Sequence, residues 1–149
     1  MPFRFRLERV LEWQRKNLER EKRVTADCHR LVAEVLEAIA RLHADHLMIE
    51  REWLEKKAIY GADAASLGRY RLGVQKAERT LLAEQERRQG ELQKQTAKML
   101  EVQRKLRVLE NLRTRKSSEF NYLVDRELEQ TATESHLALW SARDAQANS

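Results

Sequence analysis

Two long stretches of this chain contain neither glycine nor proline: residues 3–60 and residues 91–149. Those two residue types most often end or kink a helix, so nothing in either stretch forbids a continuous helix. Ala, Glu, Lys, Arg and Leu supply 86 of the 149 residues, a composition typical of coiled coils and long helices. With 36% charged and 6% aromatic residues, the chain has too little apolar material for a thick globular core. We therefore predict an all-α, elongated protein.

The first stretch repeats its apolar residues with a period of seven. One seam position holds Leu11, Leu18, Thr25, Val32, Ile39, His46 and Trp53, and its companion holds Leu7, Gln14, Glu21, Cys28, Val35, Leu42 and Ile49. A period sustained over about seven heptads, with Glu, Arg and Lys on the flanks, favours a packed coiled coil over an isolated amphipathic helix. The pattern predicts a helix from about residue 4 to 59, with a weak seam at Gln14, Glu21 and Thr25.

Three glycines, Gly61, Gly68 and Gly73, follow this first helix. Gly61 offers a helix stop, and Asp63 and Ser66 are candidate N-caps for the next helix. We predict a bend at about residues 60–66, a second helix at about residues 64–142 and a frayed C-terminal tail. The second seam holds Leu67, Tyr70, Val74, Ala77 and Leu81 and, after a polar stretch at 83–91, Leu92, Met99, Val102, Leu106, Leu109, Phe120 and Leu123.

A short connection makes neighbouring helices antiparallel. The expected fold is therefore a long two-helix antiparallel coiled-coil hairpin that forms a single coiled-coil domain over residues 1–149. Folding near residue 62 would bring residues 1–23 beside residues 101–123 and leave about 20 residues of the second helix projecting. One chain supplies both seams, so we expect a monomer.

Charge is distributed unevenly along this predicted hairpin. Residues 1–23 and 98–119 each carry a net charge of +4, residues 24–55 carry −4, and residues 120–149 carry −3. The end with both termini is therefore basic, followed by an acidic extension. The whole chain has a net charge of +5, which permits association with acidic partners but does not specify one.

A phosphate-binding loop is the first catalytic motif to test. Gly68 and Gly73 stand at the spacing of such a loop, but Val74 and Gln75 occupy the positions where Lys and Ser or Thr would hold phosphate and magnesium. We therefore do not expect the chain itself to be an ATPase.

Metal binding and cysteine chemistry are also poorly supported. His43, His46 and Glu50 could share a helix face, yet no second His or Cys cluster completes a ligand set. Cys28 lies on the seam, where a small thiol packs well, and no Ser, His and Asp arrangement accompanies it. A lone cysteine forms no intramolecular disulfide. We expect no metal, no cofactor and no enzymatic activity.

No apolar run approaches the roughly 18 residues needed to cross a bilayer. The basic N-terminal residues Arg4, Arg6 and Arg9 are not followed by the apolar segment of a secretory signal. These features predict a cytoplasmic protein.

Aromatic residues interleave with basic residues at the terminal end of the predicted hairpin. Phe3, Phe5, Trp13 and Tyr122 could stack on single-stranded nucleic acid, but no nucleic-acid-binding motif is present. Trp, Tyr and Arg dominate the hot spots of protein interfaces. We therefore interpret these aromatics as protein-binding anchors, with nucleic-acid binding as the less favoured reading.

The order of several motifs resembles the flagellar export protein FliJ family, the small coiled-coil component of the flagellar type III export ATPase complex. The opening run from Phe3 to Leu11, FRFRLERVL, is similar to the family's N-terminal signature. Three later segments agree with the family pattern: Tyr70-Arg71 with Val74, Leu81 and Gln85; Leu109 to Arg113 with Arg115, Lys116 and Phe120; and the acidic residues Glu127, Glu129 and Glu134.

This resemblance implies a hairpin similar to the rotor stalk of rotary ATPases, set in the pore of a hexameric export ATPase. It also implies contacts with the cytoplasmic domain of the export gate and with export chaperones, coupling ATP hydrolysis and proton motive force to export. Such a protein would be peripherally associated with the cytoplasmic face of the inner membrane through protein contacts.

The candidate binding residues fall at the two ends of the hairpin. At the terminal end, expected to meet the ATPase, they are Phe3, Phe5, Trp13, Arg113, Arg115, Lys116, Phe120 and Tyr122. At the bend end, expected to meet the export gate, they are Trp53, Tyr60 and Tyr70. Two alternatives stay open: the equivalent stalk of a virulence injectisome, and a basic coiled-coil protein that binds nucleic acid or acts as a scaffold.

Overall fold

A computed structural model describes residues 2–56 and 61–148 of the chain. Helix α1 spans Glu8–Glu55 and helix α2 spans Gly61–Ala147. The two long helices pack against each other, and the described residues include no strand. The predicted all-α helical hairpin is therefore confirmed.

The helix boundaries differ from the expected ones at both ends. Helix α1 begins at Glu8 rather than near residue 4: residues 2–5 are not helical, and a turn in which the Glu8 N–H donates to the Phe5 carbonyl oxygen (3.1 Å) leads into the helix. Helix α2 already begins at Gly61, inside the expected bend, and continues to Ala147 instead of fraying after residue 142. No proline or glycine follows residue 142 to end the helix sooner. Residues 57–60 lie outside the described part of the chain.

Contacts divide the chain into two compact units. Unit 1 combines the N-terminal residues up to Lys16 with the residues from Gln103 onward, and unit 2 comprises Asn17–Val102. Within unit 1 we call residues 2–16 and 103–123 the shaft, and residues 124–148 the tip.

Unit 2 is an antiparallel pair of helices. Glu21 contacts Gln95, whereas Glu50, later in α1, contacts Arg71, earlier in α2. Its buried apolar residues are Leu18, Val35, Val74 and Val102. All of them occupy predicted seam positions, so the heptad pattern identified the core of this unit.

Two polar residues of the first seam are as buried as its buried leucines. Glu21 is only 3% exposed and Thr25 only 6%. The Gln95 Nε2 donates to the Glu21 carboxylate (2.5 Å), Lys98 Nζ lies 3.5 Å from it, and the Thr25 hydroxyl donates to the Glu21 carbonyl oxygen (2.8 Å). The Gln95 hydrogen bond, with support from the Lys98 charge, lowers the pKa of Glu21. Glu21 and Thr25 thus satisfy their polar groups within the chain, whereas the Oε1 of Gln14, the third residue predicted to be weak, is buried without a hydrogen-bond partner among the described residues.

Within unit 2, the seam of α2 changes spacing once. There its half-buried and buried positions alternate in steps of three and four residues except at Ala77, Leu81 and Gln85, where two steps of four follow each other. Such a stutter locally unwinds a coiled coil. It coincides with the polar stretch at 83–91, where half-buried Arg88 donates to Glu84 (2.9 Å) instead of packing an apolar side chain.

The shaft of unit 1 is also antiparallel, since Glu8 contacts Arg113 and Arg15 contacts Glu110. Leu11, which is 0% exposed, and Leu106 form its buried centre. The seam prediction is wrong at Leu123, which is 57% exposed. Its neighbour Val124 is half-buried instead, so the covered stripe of α2 lies one residue further along the chain at that point.

Candidate protein-binding surfaces

The terminal surface lies where the N-terminal segment, residues 2–5, packs against α2. Residues 2–5 are not helical, yet Phe3 and Phe5 are both half-buried. The Phe3 and Phe120 rings lie 5.6 Å apart between centroids at a tilt of 47°, a favourable arrangement for two aromatic rings. This contact holds the start of the chain against the second helix.

Arg113 lies on α2 and contacts both α1 and the N-terminal segment. Its Nε donates to a carboxylate oxygen of Glu8 (2.9 Å), and its guanidinium carbon lies 5.9 Å from the centroid of the Phe3 ring. Both charged side chains are partly exposed, so the ion pair adds orientation more than stability. Arg113 therefore positions Phe3 rather than standing free for a partner.

A cleft of about 370 Å³ opens beside this contact. It is lined by Phe3, Arg4, Phe5, Arg6, Leu7, Leu112 and Lys116. Lys116 lies 3.6 Å from Glu119, whereas Arg4 and Arg6 make no ion pair with another described residue. Apolar lining combined with available guanidinium groups suits a partner segment that carries both apolar and acidic side chains.

Five of the residues expected at the terminal end do not line this cleft, although two of them, Arg113 and Phe120, contact Phe3 beside it. Trp13 and Tyr122 are 60% and 66% exposed and stand outside it. Arg115 lines a separate, open cleft of about 520 Å³ with Val108, Asn111 and Leu112. The structure therefore brings together Phe3, Phe5, Arg113, Lys116 and Phe120 and leaves the other three apart.

A second cluster lies in unit 2 near the end of α1. The His46 and Tyr70 rings are stacked, with centroids 5.8 Å apart and an interplanar angle of 29°. Next to them, Arg71 donates to both carboxylate oxygens of Glu50 (2.6 and 2.7 Å). That bidentate hydrogen bonding lowers the pKa of Glu50 and raises the pKa of Arg71. The Glu50–Arg71 pair was not predicted. The opposite charges of these two residues beside the seam are the sequence feature that could have indicated it.

The other candidate at the bend end that the structure describes is Trp53. Trp53 is half-buried, with the Lys56 ammonium 4.1 Å from its ring centroid. Tyr60 lies outside the described residues. His46 Nδ1 is buried without a hydrogen-bond partner among the residues described, while its Nε2 lies 3.7 Å from Glu50.

The histidines do not converge on a metal site. His43 Nε2 lies 3.5 Å from Glu78 on the other helix. Within residues 2–56 and 61–148, no three His, Cys, Asp or Glu side chains come close enough to hold a metal ion.

Neither helix of the described chain is long and apolar enough to span a membrane. No protein-family model matches the sequence, and no curated protein or solved structure matches it.

Proposed function

We propose that this chain is the coiled-coil stalk of the flagellar type III export ATPase complex, as its resemblance to the FliJ family suggests. In this role it is not an enzyme: it inserts into a hexameric export ATPase and links it to the export gate and to export chaperones. The observation that best supports the proposal is the terminal cleft, in which the FRFR segment of the family-like signature lies against α2.

The charge of the shaft supports docking into a ring of acidic character. The shaft contains eleven basic and four acidic residues, a net charge of +7. Complementary charge steers association, whereas the aromatic and apolar lining of the cleft supplies the contacts that hold a partner. If the shaft binds the active arrangement of the ring more tightly than the inactive one, binding raises the rate of ATP hydrolysis.

The bend-end cluster supports a second contact, with the cytoplasmic domain of the export gate. Tyr70 and Trp53 each combine a half-buried ring with a polar atom, and exposed Leu54 and Leu72 lie near them in sequence. The protein would then lie at the cytoplasmic face of the inner membrane through protein contacts alone. The equivalent injectisome stalk would use the same two surfaces with different partners.

Stimulation of a purified flagellar export ATPase tests the proposal. The test variant replaces Arg4, Arg6 and Arg115 by Ala, because these side chains make no ion pair with described residues. Arg113 is avoided because its loss would release Phe3. A matched control replaces Lys76, Arg79 and Lys94 of unit 2, which also lack ion pairs with described residues.

We expect the parent chain and the control to stimulate hydrolysis and the test variant to stimulate it several-fold less, with the difference shrinking as salt rises. Equal stimulation by test variant and control would contradict the assignment of the terminal surface. Absence of stimulation by the parent, together with tight binding of single-stranded DNA, would favour the nucleic-acid-binding alternative.

A further inference from the structure

Beyond Val124, the tip of unit 1 is left uncovered by the rest of the described chain. Every described residue from 125 to 148 is exposed. The tip nevertheless carries four large apolar residues, each 58–65% exposed: Leu128, Leu137, Leu139 and Trp140. Helices in proteins draw most of their stability from packing an apolar face, and these four side chains remain exposed. The tip therefore offers apolar surface to a partner.

The charges of the tip and the shaft are complementary. The tip has five acidic and two basic residues, a net charge of −3, against +7 for the shaft. None of the five tip carboxylates makes an ion pair with another described residue, and neither do Arg4, Arg6 and Arg115 of the shaft. Both surfaces thus keep charge available for a contact between chains.

The shaft has an apolar surface to receive the tip. Val108 is 62% exposed and lines the open cleft of about 520 Å³ that also includes Leu112 and Arg115. Toward the N-terminal segment, the cleft of about 370 Å³ adds Phe3 and Lys116. Both clefts combine apolar lining with a cationic side chain.

The two elements also match in length. The helical tip, residues 124–147, is about 36 Å long, and the α2 part of the shaft, residues 103–123, is about 32 Å long. When two copies lie antiparallel with residue 124 of one level with residue 123 of the other, each tip covers the other copy's shaft. In that register Leu137 and Trp140 are level with residues 110 and 107, next to Val108.

In place of the monomer expected from the two seams, we infer that two copies of this chain form a two-fold symmetric dimer in which the tip of each docks on the shaft of the other. The contact is isologous and closed, so it ends at two copies and builds no filament. Each shaft becomes a three-helix bundle with Leu137 and Trp140, which share one face of the tip, inside it. The dimer does not depend on the stalk proposal, but it would cover the terminal cleft and so compete with any partner that binds there.

A charge exchange between two variants tests the dimer. One variant reverses the tip with Glu127→Lys, Glu129→Lys and Glu134→Lys, and the other reverses the shaft with Arg4→Glu, Arg6→Glu and Arg115→Glu. Sedimentation velocity over a concentration series should detect dimers of the parent chain and at least tenfold weaker dimerisation of each variant alone. An equimolar mixture should recover the dimer, because both contacts of the heterodimer then pair opposite charges.

Helical circular dichroism at parental strength shows that each variant is folded before it is compared. The inference is overturned if the parent chain is monomeric at every concentration. It is equally overturned if the mixture dimerises no better than its two components.

Two variants that replace exposed apolar residues by Asp distinguish this dimer from other assemblies. Leu137→Asp with Trp140→Asp should weaken dimerisation at least tenfold, while Leu72→Asp, at an equally exposed position of α2 in unit 2, should leave it unchanged. A dimer formed by exchanging whole helices through the connection between α1 and α2 would not respond to the tip variant. That result would also overturn the inference.

Discussion

Along α1, the shaft of unit 1 and the part of unit 2 that follows it in sequence bury different residue types at their seam positions. In the shaft, Leu11 and Leu106 are buried, and Phe3 and Phe120 pack beyond them. One and a half heptads further along α1, Glu21 and Thr25 are buried to nearly the same degree, but hydrogen bonds to Gln95 and to the backbone satisfy them. Heptad position therefore decides which residues are buried, and residue type decides what the burial contributes to stability.

Removing the apolar centre of the shaft should have the largest effect. Leu11 is completely buried, so Leu11→Ala leaves a cavity and should lower the free energy of unfolding by about 2–5 kcal/mol. Urea denaturation followed by circular dichroism measures the loss. The matched control, Val10→Ala at a 44% exposed neighbouring position, should change stability by no more than about 0.5 kcal/mol. Equal effects of the two substitutions would place the buried seam of the shaft elsewhere.

Removing the aromatic contact at the end of the shaft should have a smaller, local effect. Phe3→Ala deletes the ring that packs on Phe120 and lies near Arg113, a loss of about 1 kcal/mol. We expect faster proteolysis after Arg4 and Arg6 with little change in overall helicity. Trp13→Ala, which removes an exposed ring outside this contact, is the control. Unchanged cleavage in Phe3→Ala would mean that the ring does not hold the segment.

The contribution of buried Glu21 to the stability of unit 2 should change with pH only in acid. The pKa of Glu21 is lowered from its ordinary value of 4.5, chiefly by the Gln95 hydrogen bond. A depressed folded-state pKa contributes stability that is present above 4.5 and is lost as pH falls through the folded-state value. The melting temperature of the parent chain should therefore fall more steeply below pH 4.5 than that of Glu21→Gln. Parallel curves for the two proteins would show that the lowered pKa has no effect on stability.

The sequence predicted the seam well because burial in a two-helix coil follows a strict period. It identified even the polar members, Glu21 and Thr25, as seam residues. The period could not predict Leu123, because the covered positions shift along α2 and the next residue, Val124, is half-buried in its place.

The candidate surfaces were harder to predict because they depend on side-chain contacts across the chain. Phe3 and Phe120 were both expected at the terminal end, but nothing in the heptads indicates that a non-helical segment folds against α2. The heptads likewise do not indicate the contact that Arg113 makes. The motif suggested Arg113 as a partner-binding residue, and in the structure its side chain donates to Glu8. Trp13 and Tyr122 are residue types typical of protein-interface hot spots, but they lie outside the cleft.

Hydrogen exchange of the full chain with and without the hexameric export ATPase tests the central claim most directly. Amides of the shaft, residues 2–16 and 103–123, should gain protection in the complex, while residues 61–82 of unit 2 should exchange as in the free chain. That pattern is expected because the aromatic and unpaired cationic side chains of the terminal cleft belong to the shaft. Protection confined to unit 2, or no protection at saturating ATPase, would contradict the account.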